Sequence, residues 1–164
     1  LEELSFLEAD LEFKHNIKIE YVPTGELPLV QGVYADFSQS ISNIFRNAID
    51  AMHQSKTKKL SVATRFDEEN IFIDIKDTGC GIPEGNIPKI FDPFFTTKPV
   101  KGQEKEGEPT GTGLGLSSCY QLLRPYGGTI TVKSKIGEGS TFTIRIPYQP
   151  KPAAAKTVDK GELK

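Results

Sequence analysis

Asp77-Thr78-Gly79-Cys80-Gly81-Ile82-Pro83 and, thirty residues on, Gly111-Thr112-Gly113-Leu114-Gly115-Leu116 are two glycine-rich turns that bracket a single polar loop. The first follows the alternation Ile71-Phe72-Ile73-Asp74-Ile75, so Asp77 is expected at a strand end, its carboxylate held by a turn that glycine permits. The second runs into the apolar segment Leu114 to Leu123, which reads as a helix whose first backbone N–H groups can face an anion. A carboxylate on one side and a phosphate-sized nest on the other predict a nucleotide, with its base at Asp77 and its phosphates at Gly111 to Gly115. Each turn alone is common in ordinary loops. The helix before them is what discriminates.

That helix is read over residues 34 to 54. Phe37, Ile41, Ile44, Phe45, Ala48, Ile49 and Met52 gather on one face when advanced by about 100° per residue, and that face is predicted to be core. Asn43, Asn47 and Asp50 fall together on roughly the opposite side. Short polar side chains are poor helix formers, and an exposed face gains more from Lys, Glu or Arg. A conflict between propensity and position of this kind marks a candidate site. Two asparagines a turn apart can offer amide oxygens to a hydrated Mg²⁺ that also bridges phosphates, without adding negative charge.

The rest of the chain frames these parts. Leu1, Leu4, Leu7 and Leu11 at helical spacing predict the end of an amphipathic helix over 1–15, and Ile17 to Val22 alternate as a strand. Leu29-Val30-Gln31-Gly32 reads as a short strand or extended segment. Lys59 to Phe66 and Asn70 to Lys76 form a hairpin about Asp67-Glu68-Glu69. A short helix is expected over 82–91, followed by Asp92-Pro93-Phe94-Phe95-Thr96-Thr97-Lys98, of which at least one phenylalanine should be core. Lys98 is placed to neutralise phosphate charge as a flexible point cation. Residues 99–112 are polar and charged, as a mobile lid would be. Thr129 to Lys135 and Ser140 to Pro147 make a final hairpin, and 149–164 reads as a disordered tail. His15 is read as a solvent-exposed residue and His53 as a partner for the helix C-terminus.

Composition bounds the function. The 164 residues suffice for one domain, and 37% hydrophobic with 26% charged residues is ordinary for a globular protein. No apolar run approaches the ~20 residues of a membrane span, so direct membrane insertion is not expected. A net charge of −2 gives no basic footprint for nucleic acid. Cys80 and Cys119 lack metal-ligand or CxxC spacing, which suits a reducing, cytoplasmic setting. With Leu1 first and Met52 the single methionine, the chain is expected to be a piece of a longer protein.

In this order the motifs resemble the ATP-binding catalytic domain of sensor histidine kinases, in the superfamily shared with gyrase, the Hsp90 chaperones and MutL. The N box stands as Asn43-Ile44-Phe45-Arg46-Asn47-Ala48-Ile49-Asp50-Ala51, and the first glycine box as Asp77 to Pro83. The F box is Phe91-Asp92-Pro93-Phe94-Phe95-Thr96-Thr97-Lys98, and the second glycine box Gly111 to Leu116. The resemblance runs from about Ile17 to Pro147. It implies an α/β (α+β) two-layer sandwich of the Bergerat type: a mixed, mostly antiparallel sheet of about five strands with three helices on one face.

The same resemblance implies a division into a linker-helix end at 1–15, a catalytic domain at 16–148 with a lid at about 92–113, and the tail. It implies that Asp77 accepts the adenine amino group, supported by Gly81 and Thr141, that Asn47 holds Mg²⁺, and that Asn43 and Lys98 act at the phosphates. Gly113, Leu114, Gly115 and Leu116 would cradle them, with further contacts from Gly79, Ile82, Phe94, Thr97, Gly111 and Thr112. Asp50 stands where such kinases often carry a basic residue. The implied reaction moves the γ-phosphoryl group of ATP to a histidine on a dimerisation domain of the same parent protein, outside this segment, and thence to a response-regulator receiver domain. The parent is membrane-bound or free, with this domain in the cytoplasm. Rival readings are an ATPase or serine kinase of the same superfamily, or a docking module without nucleotide. ATPases of the superfamily place a glutamate four residues before the metal-binding asparagine, where this chain has Asn43, so a base for hydrolysis is missing.

Overall fold

The computed structural model describes residues 16–99, 101–106 and 108–148. The expected helix end at 1–15 and tail at 149–164 lie outside them. Five strands form one sheet in the order β1-β2-β3-β5-β4, with β1 Lys18–Val22, β2 Lys59–Phe66, β3 Asn70–Asp77, β4 Thr129–Lys135 and β5 Gly139–Pro147. β1 pairs with β2 in parallel and the other three pairings are antiparallel. The parallel pair needs a crossover, which helix α1 (Tyr34–Ala51) supplies. Helix α2 (Gly115–Leu123) packs against α1, and a 3₁₀ segment at Glu84–Lys89 completes the helical layer.

Strand parity decides which side is core. Leu60 and Val62 of β2, Ile71 and Ile75 of β3, Ile130 of β4, and Phe142, Ile144 and Ile146 of β5 are buried beneath Ile44, Phe45, Ala48 and Met52 of the α1 region and Cys119 and Leu123 of α2. Residues of the opposite parity form an open, polar face. There Arg65 lies 3.9 Å over the Phe72 ring and pairs with Asp74.

The hairpin between β2 and β3 is closed by Asp67, whose Oδ1 accepts the N–H groups of Glu69 at 2.9 Å and Asn70 at 2.7 Å. The expected extended segment at 29–32 joins no ladder. It is anchored by side chains instead: the backbone at Gly32 lies so near the Phe37 and Tyr126 rings that a Cβ would come within 2.4 Å, and the Tyr126 hydroxyl accepts the Val33 N–H. His53 lends its backbone N–H to the Asp50 carbonyl at the end of α1, while its side chain is exposed.

Two features of this frame position the site. The C-terminal end of α1 docks on the first glycine turn, where the Cys80 N–H donates to the Ala51 carbonyl at 3.0 Å. The loop at 92–113 is tied at its base, where the Phe94 N–H donates to the Gly113 carbonyl at 2.9 Å, and again where the Gly111 N–H reaches the Pro99 carbonyl. Gly113 has φ +70, and a Cβ there would lie 2.3 Å from the Phe94 carbonyl carbon. The turn therefore admits only glycine without rearrangement.

Candidate functional site

Asp77 ends β3 with 2% of its surface exposed. Its Oδ1 accepts the N–H of Gly79 at 2.7 Å and of Ser140 at 3.3 Å. The carboxylate borders a cavity of about 390 Å³ between α1, the first glycine turn and the 92–113 loop. Burial pushes the Asp77 carboxyl above its ordinary range, and the Gly79 and Ser140 N–H groups only partly oppose that. An oriented carboxylate at the floor of an apolar-walled cavity is an acceptor waiting for a donor. Ile82, Ile90, Phe95 and Phe142 supply flat apolar wall beside it, as a purine ring requires.

The polar stripe of α1 lines the other end. Asn43, Asn47 and Asp50 are half-buried and face this cavity rather than bulk water. The Lys98 ammonium reaches across from the loop, donating to Asn47 Oδ1 at 3.0 Å and Asp50 Oδ2 at 2.6 Å. Asn43 joins the helix to the second glycine turn, its Nδ2 donating to the Gly115 carbonyl at 3.2 Å while its Oδ1 accepts from Gln39. A Cβ added to Gly115 would meet nothing nearer than Asn47 Nδ2 at 3.8 Å. The second glycine turn and the asparagine stripe thus adjoin at ordinary contact distance, and the N-terminus of α2 borders an end of the cavity suited to anions.

Of the residues expected at the site, Asn43, Asn47, Asp50, Asp77, Gly81, Ile82, Thr97, Lys98, Gly111, Thr112, Gly113, Gly115 and Leu116 all border this one cavity. Four do not. Gly79 acts behind the wall, its N–H holding Asp77 Oδ1 and its missing Cβ making room for Ala51. Leu114 is 41% exposed just before α2.

Phe94 has φ +67 and turns outward with 74% of its surface exposed, so Phe95 is the phenylalanine that lines the cavity. Thr141 is displaced by a single residue. It pairs with Lys76 and Lys133 on the open face of the sheet, and Ser140 is the neighbour whose N–H holds Asp77 and which borders the cavity. A slip of one residue in a strand exchanges faces.

The sequence reading also missed Arg46, Gln39 and Ser134. Ser134 Oγ accepts the Ile82 N–H at 2.8 Å and bonds Ser140, tying the first glycine turn to the last hairpin. Its parity with the inward Ile130 and Val132 is the signal that would have found it. Cys119 is a small buried core residue, its thiol pushed up to about 11 by desolvation.

Cavity, fold and motif order define a class of nucleotide-binding proteins. Residues 32–150 match the profile of the family described as histidine kinase-, DNA gyrase B-, and HSP90-like ATPase, and the chain belongs to that family. Among curated proteins, the aerobic respiration control sensor protein ArcB of Escherichia coli K12 is 35% identical over 164 residues, covering 97% of this chain and 19% of ArcB. The sensor histidine kinase ZraS of the same organism is 34% identical over 131 residues, covering 80% of this chain and 26% of ZraS. The solved catalytic domain of histidine kinase ThkA, free of nucleotide, superposes with a TM-score of 0.73 at 29% identity over 91% of this chain and 92% of that one. This is the ATP-binding catalytic domain of a two-component sensor histidine kinase. The chain spans about a fifth to a quarter of the length of the two curated kinases.

Proposed function

We propose that the domain binds Mg²⁺-ATP with adenine on Asp77 and phosphates between the α1 stripe and the second glycine turn, and delivers the γ-phosphoryl group to a histidine of another domain. The observation that carries this reading is Asp77: a buried carboxylate, fixed through one oxygen by two backbone N–H groups, facing an apolar cavity. Such a group recognises the adenine amino donor and rejects an acceptor in its place. Lys98 would contact the phosphates from the loop once released from Asp50, and Asn43, held by Gln39 and Gly115, would fix the second glycine turn over them.

The residues fit a hard divalent cation. The Asn47 Oδ1 amide oxygen already accepts from a cation, the Lys98 ammonium, and the Asp50 carboxylate stands beside the same charge. Oxygen donors of this kind suit Mg²⁺ shared with phosphates. When bound, the ion neutralises phosphate charge and favours the leaving of ADP. Asn47 would hold it; Asp50 would contact its hydration shell.

In the transfer, the bond from the γ-phosphorus to the β,γ-bridging oxygen breaks and a bond to an imidazole nitrogen forms, leaving ADP. His53 does not line the cavity, and His15 lies outside the described residues. Following the resemblance to sensor histidine kinases, the acceptor is placed on the dimerisation domain of the parent protein, with the receiver domain of a response regulator next in line. ATP supply places this work in the cytoplasm. Among the described residues no helix is long and apolar enough to cross a membrane.

Calorimetric titration with ADP and a non-hydrolysable ATP analogue, with and without Mg²⁺, tests the reading. Both nucleotides should bind, the triphosphate more tightly with Mg²⁺, and Asp77→Ala should abolish both. A folded protein that binds neither overturns the assignment, and sustained ATP hydrolysis would favour an ATPase.

A further inference from the structure

Two basic side chains border the cavity, Lys98 and Arg46. Lys98 is committed within the protein, its ammonium shared between Asn47 and Asp50. Arg46 is exposed, and no hydrogen bond, ion pair or ring contact engages it among the described residues. From these observations, and resting on the nucleotide reading above, we infer that Arg46 is a phosphate-contacting residue that selects for the triphosphate.

Helical geometry locates it. Arg46 precedes Asn47, follows Asn43 by three residues and precedes Asp50 by four, which sets it on the solvent flank of the polar stripe, within side-chain reach of both neighbours. The adenine end of the cavity is marked by Ala51, whose carbonyl and Cβ meet the first glycine turn. Arg46 lies five residues up the helix, about 7–8 Å along its axis. A nucleotide with its base on Asp77 and its chain running towards Gly115 passes along this stretch of the helix, and the long Arg46 side chain borders the same cavity with its cation free to follow the phosphates.

Charge points the same way. The cavity wall carries Asp50 and Asp77 against Lys98 and Arg46, so the wall has no net positive charge to offer a polyanion once Lys98 is paired with Asp50. A guanidinium presents a planar fork that matches phosphate oxygens bidentately, and it is less strongly hydrated than an ammonium. Asp50 ties up the Lys98 ammonium, and Arg46, one turn earlier on the same stripe, is the cation left to the cavity.

The test compares Arg46→Gln and Arg46→Lys with the unaltered chain, using adenosine, ADP and a non-hydrolysable ATP analogue with Mg²⁺. Arg46→Gln is expected to weaken the ATP analogue on the order of tenfold, ADP less, and adenosine not at all. Arg46→Lys should recover part of the loss, and the salt dependence of triphosphate binding should flatten in Arg46→Gln. Equal triphosphate affinity in all three proteins overturns the inference while leaving the nucleotide reading intact. Failure of the unaltered chain to bind any of the three overturns the nucleotide reading itself. Thermal denaturation of each variant separates loss of binding from loss of fold, and the exposure of Arg46 predicts unchanged melting.

Discussion

At Asp77 the protein holds a carboxylate where water cannot reach most of it, and that disfavours the ionised form. The folded-state pKa is raised above the unfolded one, so the penalty is absent below the unfolded value and complete above the folded value. Stability from this group therefore falls as pH rises through that window. Asp77→Asn should melt at the same temperature as the parent chain or higher, yet bind ATP at least about tenfold more weakly, because an amide can turn a donor towards the adenine amino group. For the unaltered chain, affinity should decline on acidification, starting above the ordinary aspartate range, as titration at stepped pH would show.

Asp77 was legible as a candidate because its strand-end carboxylate and glycine turn stand in one order with the polar stripe of α1 and a second glycine turn. Its support was misplaced by one residue, though the alternation Ser140, Phe142, Ile144, Ile146 carried the answer. No such rhythm exists around Phe94 and Phe95. Which ring turns inward is settled by a positive φ that the sequence does not display.

Among the elements, α1 was readable almost residue by residue, since its apolar period fixed one face and its short polar stripe defied propensity on another. What the stripe touches was not readable, because Lys98, Gly115 and Gln39 reach it through tertiary structure or a local pairing that many helices offer. Asp50→Asn should weaken the hold on Lys98. Amide exchange at Lys98 and Gly111 is expected to quicken several-fold without nucleotide, while the core strands keep their protection. Unchanged exchange would mean the ion pair does not restrain the loop. Gly113→Ala meets both an unfavourable φ and a 2.3 Å approach to Phe94. It should cost about 2 kcal/mol or more, measurable by urea denaturation, and should lower nucleotide affinity with it. The 29–32 segment shows the limit of strand reading: extended backbone was foreseeable, but whether a ladder partner exists depends on what lies alongside.

For the molecule as a whole, one core joins the sheet to α1 and α2, and the cavity is bounded by that same helix, both glycine turns and the last hairpin. Ligand should therefore stabilise the entire domain rather than a part of it. At a hundredfold excess over Kd, ATP with Mg²⁺ should add about 2.7 kcal/mol to unfolding, seen as a single upward-shifted thermal transition, and Asp77→Ala should erase the shift. The two hairpins followed from alternation and turns, and the layering of helices on a sheet from the resemblance. The parallel placement of β1 beside β2 was not foreseen, because an edge strand of five residues carries no sign of its partner.

The hydrogen bond from Phe94 to Gly113 has a consequence for how such a domain can diversify. Lys98 fastens one arm of this loop to α1, but beyond the second tie, from Gly111 to Pro99, lengthening the loop costs only about 0.6 kcal/mol for each doubling. The span between those residues can then be exchanged like a cartridge, changed in length or composition to suit another partner or another rate of nucleotide release, while the sheet and its helices keep their register.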